Sequence, residues 1–331
     1  MITQLKPCAW LWIVAFVMGP ALNVLAQSEP SSESQGVDLQ RGILAVVELP
    51  GDDPQYILDL VKNNELRVYF QSSNLAHATA VRKAAEEAHL LGDRVFVDIA
   101  QPSKIHLGTN VADAVLVSPS AAGRTKDEEL LRALRPRGTA RVGSRQLVKP
   151  VPEGIDEWTH PYHAPDNNPQ SEDTLLRGNL QTQFLARPKF SPMPEQTVVA
   201  GGRIFKAMGH IAHKANQNEW LNTLLCINAY NGTILWRRAL PDGFMIHRNT
   251  MVATADSLLM GDAQSCKIFD AATGEIRDEI TIPEPITDGP VWKWMAIQDG
   301  VLYALVGNPE IKVDTQKSAR RGLGHWPWGM W

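Results

Sequence analysis

Apolar positions fall into two regimes along this chain. From residue 37 to 148, near-continuous apolar runs alternate with stretches of helical spacing. The run at 42–49 (GILAVVEL) reads as a strand buried on both faces. Asp53 and Pro54 read as N-cap and first residue of a helix carrying Ile57, Leu58 and Val61. A second strand is predicted at 66–70. Ser72, Ser73 and Asn74 offer N-caps to an Ala-rich helix that ends at Gly92, with Ala78, Val81, Ala85 and Ala88 on one face. Strands at 94–99 and 112–117 follow. Thr125 with Glu128 makes a capping box for a helix at 127–134, and 135–142 gives a turn and a fifth strand. This alternation predicts a parallel sheet with right-handed crossovers: an α/β, Rossmann-like domain over 37–148.

Between 149 and 170 the pattern stops. Pro150, Pro152, Pro161, Pro165 and Pro169 exclude a helix, so an extended connection between domains is expected. Beyond it, short strands alternate with turns. INAYNGTILWRRAL at 227–240 aligns with FDAATGEIRDEITI at 269–282, an offset of 42 residues. Asn231-Gly232 and Thr273-Gly274 supply the hairpin turns. Candidate strand pairs near 198 and 251 precede them, and MAIQDGVLYALVG near 295 opens a third unit. A period of about 40–45 residues with several strands per unit predicts all-β propeller blades over 171–331. Only two units are whole, so the propeller is expected to be incomplete, to expose an apolar face and to form oligomers through it.

Composition then narrows the class. Of 331 residues, 44% are hydrophobic and 21% charged, as in ordinary globular proteins. Thirty-two basic and 36 acidic residues leave a net charge of −4, which argues against a general nucleic-acid binder. At the N-terminus, Lys6 precedes an apolar run at 9–18, then Gly19-Pro20 and Val24-Leu25-Ala26. This predicts a signal peptide over 1–26, a disordered leader over 27–36 and an exported, periplasmic or extracellular protein without a remaining membrane span. Cys8 leaves with the signal. Cys226 and Cys266 fit no zinc spacing and are expected unpaired, on equivalent faces of their repeats.

VRKAAEEAHLLGDRVFV, NVADAVLVS and ELLRALRPRGTARV resemble three segments of class I S-adenosylmethionine-dependent methyltransferases. These are the second helix with the third strand, the "FDxVxS" strand and the "LLRxLKPGGxxxV" turn, where Arg137 replaces the first glycine. The resemblance implies a cofactor pocket at Gly51, Asp52, Gln71, Gln101 and Asp113. That pocket is degenerate. The family's first strand ends in an acid and a glycine-rich turn, whereas Glu48-Leu49-Pro50-Gly51-Asp52-Asp53 offers one glycine. Gln71 stands where the ribose-binding acid belongs, and Gln101 where the acid beside adenine belongs. Each amide forfeits the charge-assisted part of its hydrogen bond, so the resemblance implies a scaffold that no longer binds S-adenosylmethionine.

The two repeats resemble the pyrroloquinoline-quinone (PQQ)-like propeller repeat "xDAxTGxxxWxxx", whose tryptophan docks on the neighbouring blade. Trp236 takes that place in the first repeat and Asp278 in the second. The same repeat occurs in quinone-dependent alcohol and glucose dehydrogenases and in lipoprotein scaffolds of outer-membrane assembly. A methyltransferase-like domain joined to such a propeller resembles a family of large exported bacterial proteins, of which this chain would be a truncated member.

Candidate chemistry is sparse. His160, His163 and Asp166 lie in one loop, and His210 and His213 form a second HxxH pair, so a metal held by both pairs is one expectation. Loop histidines that bond to backbone are the other. His247 follows at IHRN. The chain lacks the Cys-Cys pair that quinoprotein dehydrogenases share, so PQQ as cofactor is not supported, and it has neither a phosphate loop nor a serine-hydrolase elbow. GHWPWGMW suggests either sugar stacking or a core segment. The leading expectation is an envelope binding or scaffold protein with an unread ligand or envelope-protein partner. The alternatives are a quinone- or metal-dependent oxidoreductase in a completed propeller, and a methyltransferase.

Overall fold

The computed structural model describes residues 39–62, 64–242, 249–283, 286–307 and 313–320, which lie in one unit beginning at Val37. The predicted signal peptide and leader, Cys8, His247 and the GHWPWGMW run fall outside the described residues.

The first regime folds as β1 (Arg41–Val47), α1 (Gln55–Lys62), β2 (Glu65–Ser72), α2 (Leu75–Glu87), β3 (Val95–Ile99), β4 (Ala112–Val117), α3 (Asp127–Ala133), β5 (Leu134–Val142) and β6 (Arg145–Val148). The sheet order is β3-β2-β1-β4-β5-β6, with β1 to β5 parallel and β6 antiparallel at the edge. Leu44 and Val46 of β1 join one core with Ile57, Val61, Val81 and Ala85. Ala45 and Val47 join the opposite core with Leu130, Ala133 and Leu134. Burial on both faces is why this strand reads as an unbroken apolar run.

Three details differ from expectation. Helix α2 stops at Glu87: the Ala88 amide donates to the Ala84 carbonyl and the His89 amide to that of Glu86, and His89 already takes φ 56° before Gly92 is reached. Thr125 does not cap α3. Its hydroxyl donates to the Pro102 carbonyl at 2.9 Å and so ties down the loop after β3. Strand β6 is too short for a clear periodic signal; Gly143, at φ 60°, folds the chain back along β5, and Leu147 packs on the core.

The second regime builds three antiparallel sheets from consecutive strands. The first holds β7 (Met193–Ala200), β8 (Arg203–Ile211), β9 (Thr223–Asn228) and β10 (Ile234–Ala239). The second holds β11 (Met251–Ala253), β12 (Ser257–Gly261), β13 (Cys266–Asp270) and β14 (Ile276–Ile280). The third holds β15 (Val291–Gln298) and β16 (Val301–Gly307). One core joins the first sheet to the second, and another joins the second to the third. Between the first two, Trp236 is buried and its indole N–H donates to the Ala271 carbonyl at 3.0 Å. A Cβ on Gly274 would stand 2.6 Å from that indole, so glycine serves both the turn, at φ 70°, and the docked ring. Cys226 and Cys266 are free, buried and on corresponding faces: Cys226 reaches Ala271 of the second sheet, and Cys266 packs with Trp292 of the third.

Among the described residues, apolar side chains are covered at one end of the three sheets and exposed at the other. Ala186 and Trp220 cover the outer flank of the first sheet over Met208, Leu225 and Ile227. At the far end, Val301, Tyr303 and Leu305 of β16 are 41%, 53% and 58% exposed.

The proline-rich stretch does more than connect. The carbonyls of Trp158 and Thr159 accept the amides of Val199 in β7 (2.6 Å) and Ala253 in β11 (2.9 Å). His160 Nε2 accepts the amide of Ile297 in β15 at 3.0 Å. Three consecutive residues therefore serve the first strand of each sheet in turn.

Candidate functional site

Doubly wound sheets present ligands at the carboxyl ends of their strands, at the point where strand order reverses. Here that point lies between β1 and β4. Glu48 follows β1 with φ 62° and is buried. Its carboxylate accepts the Ser72 hydroxyl, the Ser73 amide (2.9 Å) and the Ser73 hydroxyl (2.5 Å), with Arg124 Nη2 at 3.7 Å. Burial opposes its ionisation, but the two serines and the Arg124 charge together hold the carboxyl below its usual range. The result is a carboxylate committed to stapling the ends of β1 and β2. Ser72 and Ser73, expected as N-caps, serve Glu48 instead; Asn74 caps α2 by accepting the Ala76 amide at 2.9 Å.

Gln71 is fully buried beside this staple. Its Nε2 donates to the carbonyls of Gln101 (3.2 Å) and Lys104 (3.0 Å), and its Oε1 accepts the His106 amide at 3.2 Å. Both amide hydrogens and the oxygen are thus engaged by the 101–106 loop. The Gln101 side chain is exposed. Gly51 is exposed too, with nothing within 4 Å of the place a Cβ would take. Asp52 is exposed and meets His77 Nε2 at 3.1 Å.

One cluster at this edge had no signal in residue spacing. Asp98 Oδ2 accepts the Tyr69 hydroxyl at 3.1 Å and pairs with His106 Nδ1 at 2.9 Å. Burial raises the Asp98 carboxyl, but His106, the Ile99 amide and Tyr69 outweigh it and leave it low. Burial and the adjacent Asp98 push the Tyr69 phenol up. Gln71, Glu129 and Arg132 together fix the loop that brings His106 to this group.

Asp113 requires a correction. It stands at the start of β4, the opposite edge from a cofactor pocket. Its buried carboxylate accepts the Ile43 amide (2.9 Å), Asn228 Nδ2 (2.7 Å), Asn231 Nδ2 (2.8 Å) and Arg135 Nε. Asn228 and Asn231 flank the β9–β10 turn, and Asn231 also donates to the Val111 carbonyl at 2.9 Å. The Asn-Gly turn of the first repeat is therefore seated in the amino edge of the parallel sheet, with Asp113 as its socket.

The histidine pairs are not brought together. His163 Nε2 bonds Asp156 at 3.0 Å, which raises its affinity for a proton. Asp156 also accepts Ser171 Oγ and the amides of Glu157 and Glu172; although burial opposes ionisation, these bonds hold it down to about 2. Both ring nitrogens of His160 are taken, by Thr159 Oγ1 and the Ile297 amide, and burial followed by the His163 charge lowers its proton affinity. Asp166 is exposed and accepts the Asn168 amide. His210 is buried at the end of β8, and His213 is exposed with its amide on Gln217 Oε1 at 2.8 Å. Among the described residues, no three His, Cys, Asp or Glu side chains gather as metal ligands. The separate loops explain this: one pair lies on the strap across the sheets and the other at the end of one sheet.

No family model matches the chain, and no curated protein matches it. Solved structures similar to it include an S-adenosyl-L-methionine-dependent methyltransferase from Methanococcus maripaludis, with 18% identity and a TM-score of 0.27 over 31% of this chain and 47% of that one. A SAM-dependent methyltransferase from Aquifex aeolicus shows 17% identity and a TM-score of 0.25, covering 30% of this chain and 54% of the other. Geranyl diphosphate C-methyltransferase from Streptomyces coelicolor shows 15% identity and a TM-score of 0.26, covering 30% and 37%. The chain spans less than two thirds of the length of each.

Proposed function

We propose that this chain is an exported binding or scaffold protein of the cell envelope. In this reading its methyltransferase-like domain is a structural support and its antiparallel sheets are PQQ-like propeller blades. The observation that carries it is the engagement of Gln71. At the place where a methyltransferase keeps a free acid for the ribose hydroxyls, this chain has a buried amide whose two N–H groups and oxygen are all engaged by its own 101–106 loop. A ribose could gain those partners only by breaking that loop's anchorage, and a buried group left unpaired costs about 1–3 kcal/mol. Consecutive antiparallel sheets and the docked Trp236 support the propeller part. The apolar run at 9–18 supports export.

Calorimetric titration of the full chain with S-adenosylmethionine and S-adenosylhomocysteine tests the reading. Affinity no tighter than about millimolar, on the order of −4 kcal/mol, is expected. Micromolar binding would replace the scaffold reading with a methyltransferase.

A further inference from the structure

The segment at 174–190 carries a run of outward leucines that its own folding does not need. Leu175, Leu176, Leu180 and Leu185 are 49%, 65%, 70% and 82% exposed. Other residues do the anchoring. Asp173 Oδ1 accepts the amides of Leu175 and Leu176, both at 2.8 Å, and Gln183 Nε2 donates to the Tyr230 carbonyl at 2.8 Å. Phe184 and Ala186 pack against the Asn231-Gly232 turn, where a Cβ on Gly232 would meet the Phe184 ring at 2.6 Å. The backbone is thus held by these contacts, while the four leucines remain exposed. Arg177, Arg187 and Lys189 are exposed in the same stretch, and no acidic residue occurs between Asp173 and Glu195.

We propose that this ridge seats the protein on an anionic lipid surface. Apolar side chains that enter the acyl boundary, flanked by cations that meet anionic headgroups, are the chemistry of interfacial membrane binding. The charge of the stretch is wholly positive on a protein whose net charge is −4, so attraction to anionic lipid is local to it. A protein groove would call for a compact anchor, whereas these leucines are spread over eleven residues of irregular backbone. Among the described residues no helix is long and apolar enough to cross a membrane.

Sedimentation of the full chain with vesicles tests this, using phosphatidylcholine alone and phosphatidylcholine with a quarter phosphatidylglycerol. At about 0.1 M salt, binding to the anionic vesicles is expected to be about tenfold the stronger, and the difference should vanish near 0.5 M as screening shortens. The double variants Leu180→Ser with Leu185→Ser, and Arg177→Gln with Lys189→Gln, should each lower that binding at least about threefold at an unchanged melting temperature. All forms keep the apolar N-terminal run, so the comparison isolates the ridge. If one double variant melts early, the other decides. Wild type that ignores phosphatidylglycerol, or variants that bind like wild type, would overturn the proposal. Retention of the full chain on immobilised poly-glutamate without vesicle binding would assign the ridge to an acidic protein instead and equally overturn it.

Discussion

Replacing Asp113 with alanine removes one carboxylate that serves four donors on three separate stretches of chain. The Ile43 amide, Asn228 Nδ2 and Arg135 Nε lose this acceptor, and Asn231 Nδ2 keeps only the Val111 carbonyl, in a place where the aspartate side chain is 1% exposed. Hydrogen bonds to charged groups contribute about 1.5–3 kcal/mol each, but four on one group do not add. Breaking a buried pair by removing one partner costs about 3–5 kcal/mol, and Arg135 keeps its bond to the Pro136 carbonyl, so about 4 kcal/mol is expected. Asp113→Asn keeps one acceptor oxygen and turns an amide toward the donors; about half that loss should follow. Urea unfolding followed by both tryptophan fluorescence and far-ultraviolet circular dichroism measures the effect. Among the described residues, every tryptophan lies beyond residue 149, with Trp236, Trp292 and Trp294 in the antiparallel sheets, and all three α-helices lie in the α/β part, so the two probes should separate in the variant. A loss under about 1 kcal/mol with coincident transitions would show that Asp113 does not hold the two parts together.

Other perturbations follow from the same geometry. Trp236→Ala should cost about 3–5 kcal/mol by urea unfolding, because it empties the junction of the first two sheets; an effect under about 1 kcal/mol would refute the docking role. The His163–Asp156 pair gives a pH window. Asp156, held near 2, contributes stability above its unfolded value of about 3.8, lost as pH falls through 2. His163, raised, contributes below about 6.5, lost as pH rises through its folded value. Stability measured against pH should therefore be highest between about 4 and 6.5 for this pair, and His163→Gln should flatten the alkaline limb by on the order of 1 kcal/mol. Burial pushes the Cys226 and Cys266 thiols up to about 12, so peptide mapping should find both unlabelled by maleimide until the protein unfolds; native labelling at free-cysteine rates would contradict their burial.

The parallel sheet was legible because its two central strands, β1 and β4, are buried on two sides, and a strand with one wet face could not carry an unbroken apolar run such as the one at 42–49. The tryptophan dock was legible because Asn231-Gly232 and Thr273-Gly274 repeat with the intervening pattern. Side-chain destinations were not. Thr125 and Ser73 carry capping signatures, but a hydroxyl goes to whichever acceptor tertiary structure brings near, here Pro102 and Glu48. Asp113 occupies a motif position, yet its partners Asn228 and Asn231 lie more than a hundred residues away. The prolines between 149 and 170 reported the absence of a helix correctly, but they carry no information about which amides the freed carbonyls will meet.

Trp158, Thr159 and His160 also bear on how the chain is assembled in time. They are synthesised before any strand of the three antiparallel sheets, and the strands they serve emerge in the same order as the residues that receive them. The strap can therefore act as a template, collecting each sheet as it becomes available, at a rate of one residue per sheet. One-to-one matching also constrains how such an array can change. Duplicating or deleting a four-stranded unit alters the number of first strands but not the number of strap residues. Growth by repeat copying would therefore leave an amide without its acceptor unless the strap lengthened in step.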